Sequence, residues 1–468
     1  MSRCCKLIFP IAVAVIGYFI WYMYNSRFHI SNVPKPNENV WWGPGSSKDI
    51  NRNIVPFKIN IPDSEIAYLK ERLAKYLERS HVPPLENQGF QYGFNSNYLK
   101  QVVTYWKQNY DWKKREAYLN QFPQFKTKVA GLDIHFLRVA PKNPSGKKVL
   151  PLLLLHGWPG SVREFYDVIP LLTTPRKDVD FVFEVVAPSL PGYGFSQAAV
   201  KPGFGPHEMA VVMKHLMLRL NFEKFYISGG DWGSLIGKIM GQYYPERVLG
   251  FHSSMCMVNT PLSNLKWILG SIYPPLVVES RFQKKLYPVS NIFSGILKEM
   301  GYMMIQATKP DTIGSALSDT PAGLAAYILE KFSTWTNKEW QGRLDGGLTE
   351  KYSLDALLDN VMIYWFTNSI LTSQRLYSEA FTTTEFELQR FPIPVPTACA
   401  RFHNDLLWQP ESILREQFIN LIHVSDFEDI GHFSAFEAPK EYNHDVWTAV
   451  QKFENYHREA ATKKTAQS

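Results

Sequence analysis

Phe225-Tyr226-Ile227-Ser228-Gly229-Gly230-Asp231-Trp232-Gly233-Ser234 places a carboxylate at a point where the chain should turn sharply from strand to helix. Phe225 to Ile227 are β-formers, and a helix is expected to begin near Trp232. Gly229 and Gly233 flank Asp231 because the two backbone segments nearly touch in such a turn, leaving no room for larger residues. The side chain between them is held out beside the first N–H groups of the helix. A Ser there would serve acyl transfer, whereas Asp231 offers a carboxylate as the attacking group. Alone, the stretch reads equally well as a Gly-rich turn with a helix-capping Asp.

A carboxylate nucleophile needs donors for charge on its carbonyl oxygen once it becomes an ester. It also needs a base to activate water, and an acid for the leaving oxygen. The donors expected are the backbone N–H of Trp232 and that of Trp158, in His156-Gly157-Trp158-Pro159-Gly160. The expected base is His432, in Asp429-Ile430-Gly431-His432-Phe433, after the last strand. His423 lies within that strand and His444 on the closing helix, positions that suit structural or surface roles. His432 needs a carboxylate to hold its tautomer. Asp405 follows the strand ending near Phe402, and Glu411 and Glu416 are rivals in the segment after it. The order nucleophile, acid, histidine favours Asp405.

These residues need a scaffold with loops at one edge. Leu150 to Leu155 is a solid apolar run, as in a strand buried on both faces, and leads into the HGWPG turn. Further strands are expected around Ile134 to Val139, over Phe181 to Ala187 and Val248 to His252, then over Val395 to Phe402 and Phe418 to Val424. Helices fall between them, near Val211 to Leu218 and from Tyr442 to His457. This alternation predicts an α/β fold with a mostly parallel sheet and helices on both faces. Met255 to Phe391 breaks the alternation as a helix-rich insert, read as a lid. Trp41 to Lys128 reads as a helical pre-domain: Ile66, Leu69, Leu73, Tyr76 and Leu77 recur at helical spacing behind Pro62-Asp63-Ser64, and Leu99, Val102, Trp106 and Tyr110 follow suit. The polar tail from Ala460 is expected to fray. The implied organisation is an anchor over 1–30, a helical N-terminal region over 41–130, core over 131–254, lid over 255–391, and core again over 392–460.

The anchor is the uncharged run Leu7 to Tyr24, long enough to cross the hydrocarbon core, with Trp21, Tyr22 and Tyr24 at its end. No small-x-small site follows it, which argues against a cleaved signal peptide. Arg3 and Lys6 before it and Arg27 and Lys35 after it leave the orientation open, and the lack of an N-x-[ST] acceptor fits a cytosolic body. Cys4 and Cys5 stand at its mouth, where acylation is chemically feasible; with Cys256 and Cys399 they form neither a disulfide framework nor a metal spacing. The 468 residues carry a net charge of +7 from scattered basic residues, which excludes a nucleic-acid motif; 45% hydrophobic and 14% aromatic content excludes disorder.

Taken together, WWGPG at Trp41 to Gly45, HGWPG, GGDWGS, TKPDTIGSAL in the lid, LAAYILEKFSTW at Leu324 to Trp335 and the GHF motif resemble the microsomal-type epoxide hydrolases, and within them the insect juvenile hormone epoxide hydrolases. The resemblance spans essentially the whole chain. It implies an α/β-hydrolase fold in the endoplasmic reticulum membrane, a small apolar epoxide as substrate, lipid as the partner of the N-terminal helix, and neither metal nor organic cofactor. It matches nucleophile, acid and base to Asp231, Asp405 and His432; mammalian members more often carry Glu at the acid position. It also matches the two lid tyrosines that hydrogen-bond the epoxide oxygen to Tyr302 and Tyr377. With 24 Tyr in the chain, only the motif context singles these out. A haloalkane dehalogenase would leave such a pair idle, a carboxylesterase would need Ser at the turn, and a catalytically silent terpenoid-binding protein would have lost one of the three residues.

Overall fold

The computed structural model describes residues 17, 18, 21, 33–46, 51–381 and 387–467. The expected anchor Leu7 to Tyr24 lies outside them save for 17, 18 and 21, as do Cys4 and Cys5. Among the described residues no helix is long and apolar enough to cross a membrane.

Nine strands form one sheet: β1 (Ile54–Phe57), β2 (Gln124–Val129), β3 (Leu132–Val139), β4 (Lys148–Leu155), β5 (Phe181–Pro188), β6 (Phe225–Gly229), β7 (Val248–Ser253), β8 (Thr397–Phe402) and β9 (Leu421–Phe427). Their spatial order is β1-β2-β3-β5-β4-β6-β7-β8-β9. The first three pair antiparallel, β3 meets β5 antiparallel, and from β5 onward every pair is parallel. Leu152 to Leu155 are wholly buried, as a strand covered by helices on both faces requires. The last strand begins three residues later than its apolar run suggested, at Leu421.

The N-terminal region holds helices Asp63–Glu78, Ser96–Gln108 and Trp112–Leu119. Asn95 and Asp111 cap the second and third, each accepting from two backbone N–H groups, and Leu69, Leu73, Val102 and Trp106 face the core. It is not purely helical, however, because β1 and β2 extend the sheet at its antiparallel edge. Two further expectations are corrected. The closing helix continues from Pro439 to Gln467 instead of fraying at Ala460. And Cys256 is disulfide-bonded to Cys399, 143 residues away. The pairing follows from topology: β7 and β8 are parallel neighbours with Ser253 beside Cys399, so the start of the insert lies against β8.

The insert between β7 and β8 runs from helix Pro261–Ile272 to helix Ser369–Ala380. Buried Asp359, on its helix Leu354–Thr367, ties three parts of the chain together. It accepts from Tyr110 Oη at 2.9 Å and Arg115 Nε at 2.8 Å in the N-terminal region, and from Arg163 Nε at 3.1 Å in the core.

Candidate active site

The expected nucleophile, acid, base and N–H donors each follow the carboxyl end of a parallel strand, where open α/β sheets form their sites, and the two expected tyrosines come from the lid. The HGWPG turn follows β4, Asp231 follows β6, Asp405 follows β8 and His432 follows β9. Because β4 lies beside β6 and β8 beside β9, the four loops converge.

Asp231 opens the helix Asp231–Tyr243 with φ of +48°, the strained conformation of a nucleophile turn. The flanking glycines are required by contact: a Cβ on Gly229 would meet Gly233 O at 2.5 Å, and one on Gly233 would meet Leu155 O at 2.0 Å. A Cβ on Gly157 would strike Asp231 Oδ1 at 2.2 Å, so the HGWPG turn lies directly against the carboxylate. Trp158 N–H donates to Asp231 Oδ1 at 2.8 Å, and Trp232 N–H also donates to this carboxylate. Helix Leu354–Thr367 fixes the turn, as Asn360 Nδ2 donates to Pro159 O at 2.8 Å and Tyr364 Oη to Gly160 O at 2.7 Å.

His432 Nδ1 lies 2.7 Å from Asp405 Oδ1, and its Nε2 lies 3.6 Å from Asp231 Oδ2. Neither Glu411 nor Glu416 holds this position; they pair with Arg415 and Lys266. His423 and His444 lie elsewhere, His423 bonded to Asp445 at 2.8 Å. The His432 backbone N–H donates to Trp335 O at 2.9 Å, and the imidazole packs edge-on against the Trp335 ring.

Burial pushes the Asp231 carboxyl above its ordinary value, while His432 and the Trp158 and Trp232 N–H groups pull it back. For His432, burial opposes the charged form, but the charge and hydrogen bond of Asp405, then Asp231 and Glu164, outweigh it and raise the imidazole to about 9. The resting base therefore carries a proton near neutrality, compensated by its carboxylates.

Tyr302 stacks on Trp158 with centroids 5.2 Å apart, and Tyr377 packs edge-on against Trp232 at 4.7 Å. The two phenol rings are 5.8 Å apart, on lid helices Gly301–Thr308 and Ser369–Ala380. Burial raises both phenols, and Asp231 raises them further, so each remains a neutral O–H donor. The lid thus brings two phenols, hydrogen-bonded to each other, close to the nucleophile.

Glu164 is a site residue that sequence reasoning missed. It lies on the short turn Val162–Phe165, and its carboxyl fills the space a Cβ on Gly160 would occupy. Burial and the charge of Asp231 lift it to about 8, against His432 and a Ser161 N–H that lower it. With Asp231, His432, Trp158 and Tyr442 it lines a cavity of about 20 Å³, room for one water molecule. Its only sequence signal was a carboxylate four positions beyond HGWPG, and Arg163 beside it made a solvated pair the ordinary reading. A second buried acid, Glu437, accepts from Gly431 N–H at 3.0 Å and steadies the His432 loop.

Comparison with known proteins gives the family. The pattern described as Epoxide hydrolase N terminus matches residues 54–165, and that described as alpha/beta hydrolase fold matches residues 151–390. Juvenile hormone epoxide hydrolase 1 of Ctenocephalides felis is 48% identical over all of both chains. The chain belongs to the epoxide hydrolase family. Epoxide hydrolase 1 of Oryctolagus cuniculus is 45% identical, over 92% of this chain and 96% of its own. The crystal structure of juvenile hormone epoxide hydrolase from Bombyx mori superposes with a TM-score of 0.88 at 47% identity, covering 90% of this chain and all of that one. That of Aspergillus niger epoxide hydrolase gives 0.71 at 28% identity, covering 87% and 98%. This epoxide hydrolase adds water across an oxirane by way of an aspartyl ester, as its family does.

Proposed function

We propose that Asp231 is the nucleophile of this epoxide hydrolase. Its carboxylate attacks an oxirane carbon while Tyr302 and Tyr377 donate to the departing oxygen, and one phenol proton passes to the alkoxide. The products are an ester on Asp231 and one tyrosinate, which His432, protonated at rest, returns to the neutral phenol. His432 is then a free base. It takes a proton from water, which attacks the ester carbonyl while the Trp158 and Trp232 N–H groups hold the oxyanion. Collapse releases a vicinal diol and regenerates the carboxylate and imidazolium, so protons balance over the cycle. Asp405 orients the imidazole, and Glu164 accepts a hydrogen bond from the attacking water, whose second proton passes to the departing alkoxide as the intermediate collapses.

The observation that carries this reading is the pair of phenols packed on Trp158 and Trp232, the two residues whose N–H groups hold Asp231. Halide release would use neither as an acid. A single turnover in ¹⁸O water with enzyme in excess should label the peptide containing Asp231 and leave the diol unlabelled. His432→Gln should stall at an ester, seen as added mass on that peptide. Label in the first-turnover diol would refute the covalent route.

The substrates named for the insect relatives suggest juvenile hormone as one substrate here, with foreign epoxides the alternative; kcat/KM over a small panel including the hormone separates them. The run Leu7 to Tyr24 would hold the enzyme in the endoplasmic reticulum membrane with its body in the cytosol. Release of the full-length protein by alkaline carbonate would rule that anchor out.

A further inference from the structure

The lid carries a second feature that the reaction does not use. Helix Val289–Glu299 has no fully buried residue. It leads, across Met300 alone, into helix Gly301–Thr308, and Met304 N–H bonds Met300 O at 3.0 Å across the junction. Phe293, Leu297 and Met304 are 65%, 70% and 54% exposed. Their spacing of four and then seven residues aligns them along one stripe, roughly 16 Å long at about 1.5 Å per residue. Tyr302 lies on the opposite face of the same helix, stacked on Trp158 in the site.

A neighbouring helix exposes its apolar end in the same way. Ile268, Ile272, Tyr273 and Leu276, at the end of helix Pro261–Ile272 and just beyond it, are 61–81% exposed. The two helices belong to one lobe, since Trp267 of the first and Ile292 of the second pack on the same small core of Val278, Phe282 and Leu286. Scattered exposed apolar residues are ordinary, but a concentration of large ones on one lobe marks an interaction surface.

Charge indicates what covers it. Between residues 261 and 309 there are six basic residues (Lys266, Arg281, Lys284, Lys285, Lys298 and Lys309) against Glu279 and Glu299, and with Lys266 paired to Glu416 the surplus is three in a chain whose net charge is +7. All but Lys266 of the six are exposed, whereas Glu299 is turned inward to Trp335 Nε1 and Gln341 Nε2. Apolar side chains on one side of a helix with lysines beside them form the pattern of a segment lying in a lipid interface. Lysine attraction adds to apolar burial only where the opposing surface is anionic.

We propose that this lobe of the lid docks on an anionic phospholipid surface through Phe293, Leu297, Met304 and the exposed end of helix Pro261–Ile272, which holds the enzyme at the phase in which an apolar epoxide dissolves. The surface is distant in sequence from the run Leu7 to Tyr24 and needs no transmembrane span.

The test uses the full-length enzyme with vesicles of phosphatidylcholine, alone or with about one-third phosphatidylserine. Amide exchange in the peptide 289–308 should slow with the anionic vesicles and less with the neutral ones. In Phe293→Glu/Leu297→Glu that protection should vanish. Turnover of a vesicle-borne apolar epoxide should fall at least several-fold in this variant, with turnover of a small water-soluble epoxide unchanged. Lys284→Gln/Lys298→Gln alters only exposed polar side chains, so folding is not at issue. It should remove the preference for anionic vesicles, about fivefold per lysine. Exchange in 289–308 indifferent to vesicles would overturn the proposal. So would protection that grows with protein concentration in the absence of lipid, which would make a second copy of the chain the occupant. Loss of turnover on the water-soluble epoxide in wild type would count against the catalytic reading instead, leaving the exchange result to decide this one.

Discussion

The His432 proton should be controlled by the charge of Asp231, and this can be measured without substrate. Asp231→Asn imitates the electrical state of the ester: the nucleophile is neutral but retains its shape. Two unit charges 3.6 Å apart, the His432 Nε2 to Asp231 Oδ2 distance, interact by about 4.6 kcal/mol at an effective dielectric constant of about 20. At about 1.4 kcal/mol per pH unit, that is roughly three units. The sign follows from what is removed, because a lost negative neighbour disfavours the imidazolium. His432 should fall from about 9 in the resting enzyme to about 6 in the variant, still held up against burial by Asp405. The base is thus charged and idle until the ester forms, then free at neutral pH when water must be activated. Imidazole resonances followed by NMR across pH 5 to 10 in both proteins report this directly. Stopped-flow fluorescence from Trp158 and Trp232 should show, in wild type, an ester-hydrolysis rate that rises with pH around 6. A His432 value above 8 in Asp231→Asn would refute the coupling, and the timing of the proton would need another source.

Tyr302→Phe or Tyr377→Phe should each slow ester formation about 10²-fold, the usual consequence of losing one donor to developing charge, with hydrolysis of a preformed ester little changed; single-turnover alkylation rates measure it. Glu164→Gln keeps an acceptor oxygen for water, so it should retain most of the hydrolysis rate, whereas Glu164→Leu should lose it with alkylation intact. Asp359→Ala should destabilise the fold by about 3–5 kcal/mol in urea titration, because Arg115 and Arg163 lose their shared buried partner. A non-reducing peptide map should link Cys256 to Cys399, and Cys399→Ser should lower stability by at most about 5 kcal/mol, the chain-entropy value for a loop this long.

The stretches legible in the sequence are those whose physics is local. The GGDWG turn needs small residues against its own strand and helix, so Gly229 and Gly233 announce it without reference to the rest of the chain. Leu150 to Leu155 reads as a doubly covered strand because its composition alone excludes a solvent face. The chain order of Asp231, Asp405 and His432 follows from the succession of strands. Features that depend on a neighbour distant in sequence were not legible. The strand Ile54–Phe57 is too short and Gln124–Val129 too polar to declare itself; β2 forms on the backbone edge that β3 offers, and β1 on the edge that β2 then offers. Cys256 and Cys399 become a pair only when β7 and β8 lie side by side. Glu164 became a site residue through folding alone: an isolated glutamate near a turn is ordinarily solvated, and its raised value and its place beside His432 come from the packing of core loops around one water-sized cavity. Residue types and their order set which chemistry was available, while the packing of loops from four different strands decided which carboxylate meets which imidazole and which of 24 tyrosines faces the nucleophile.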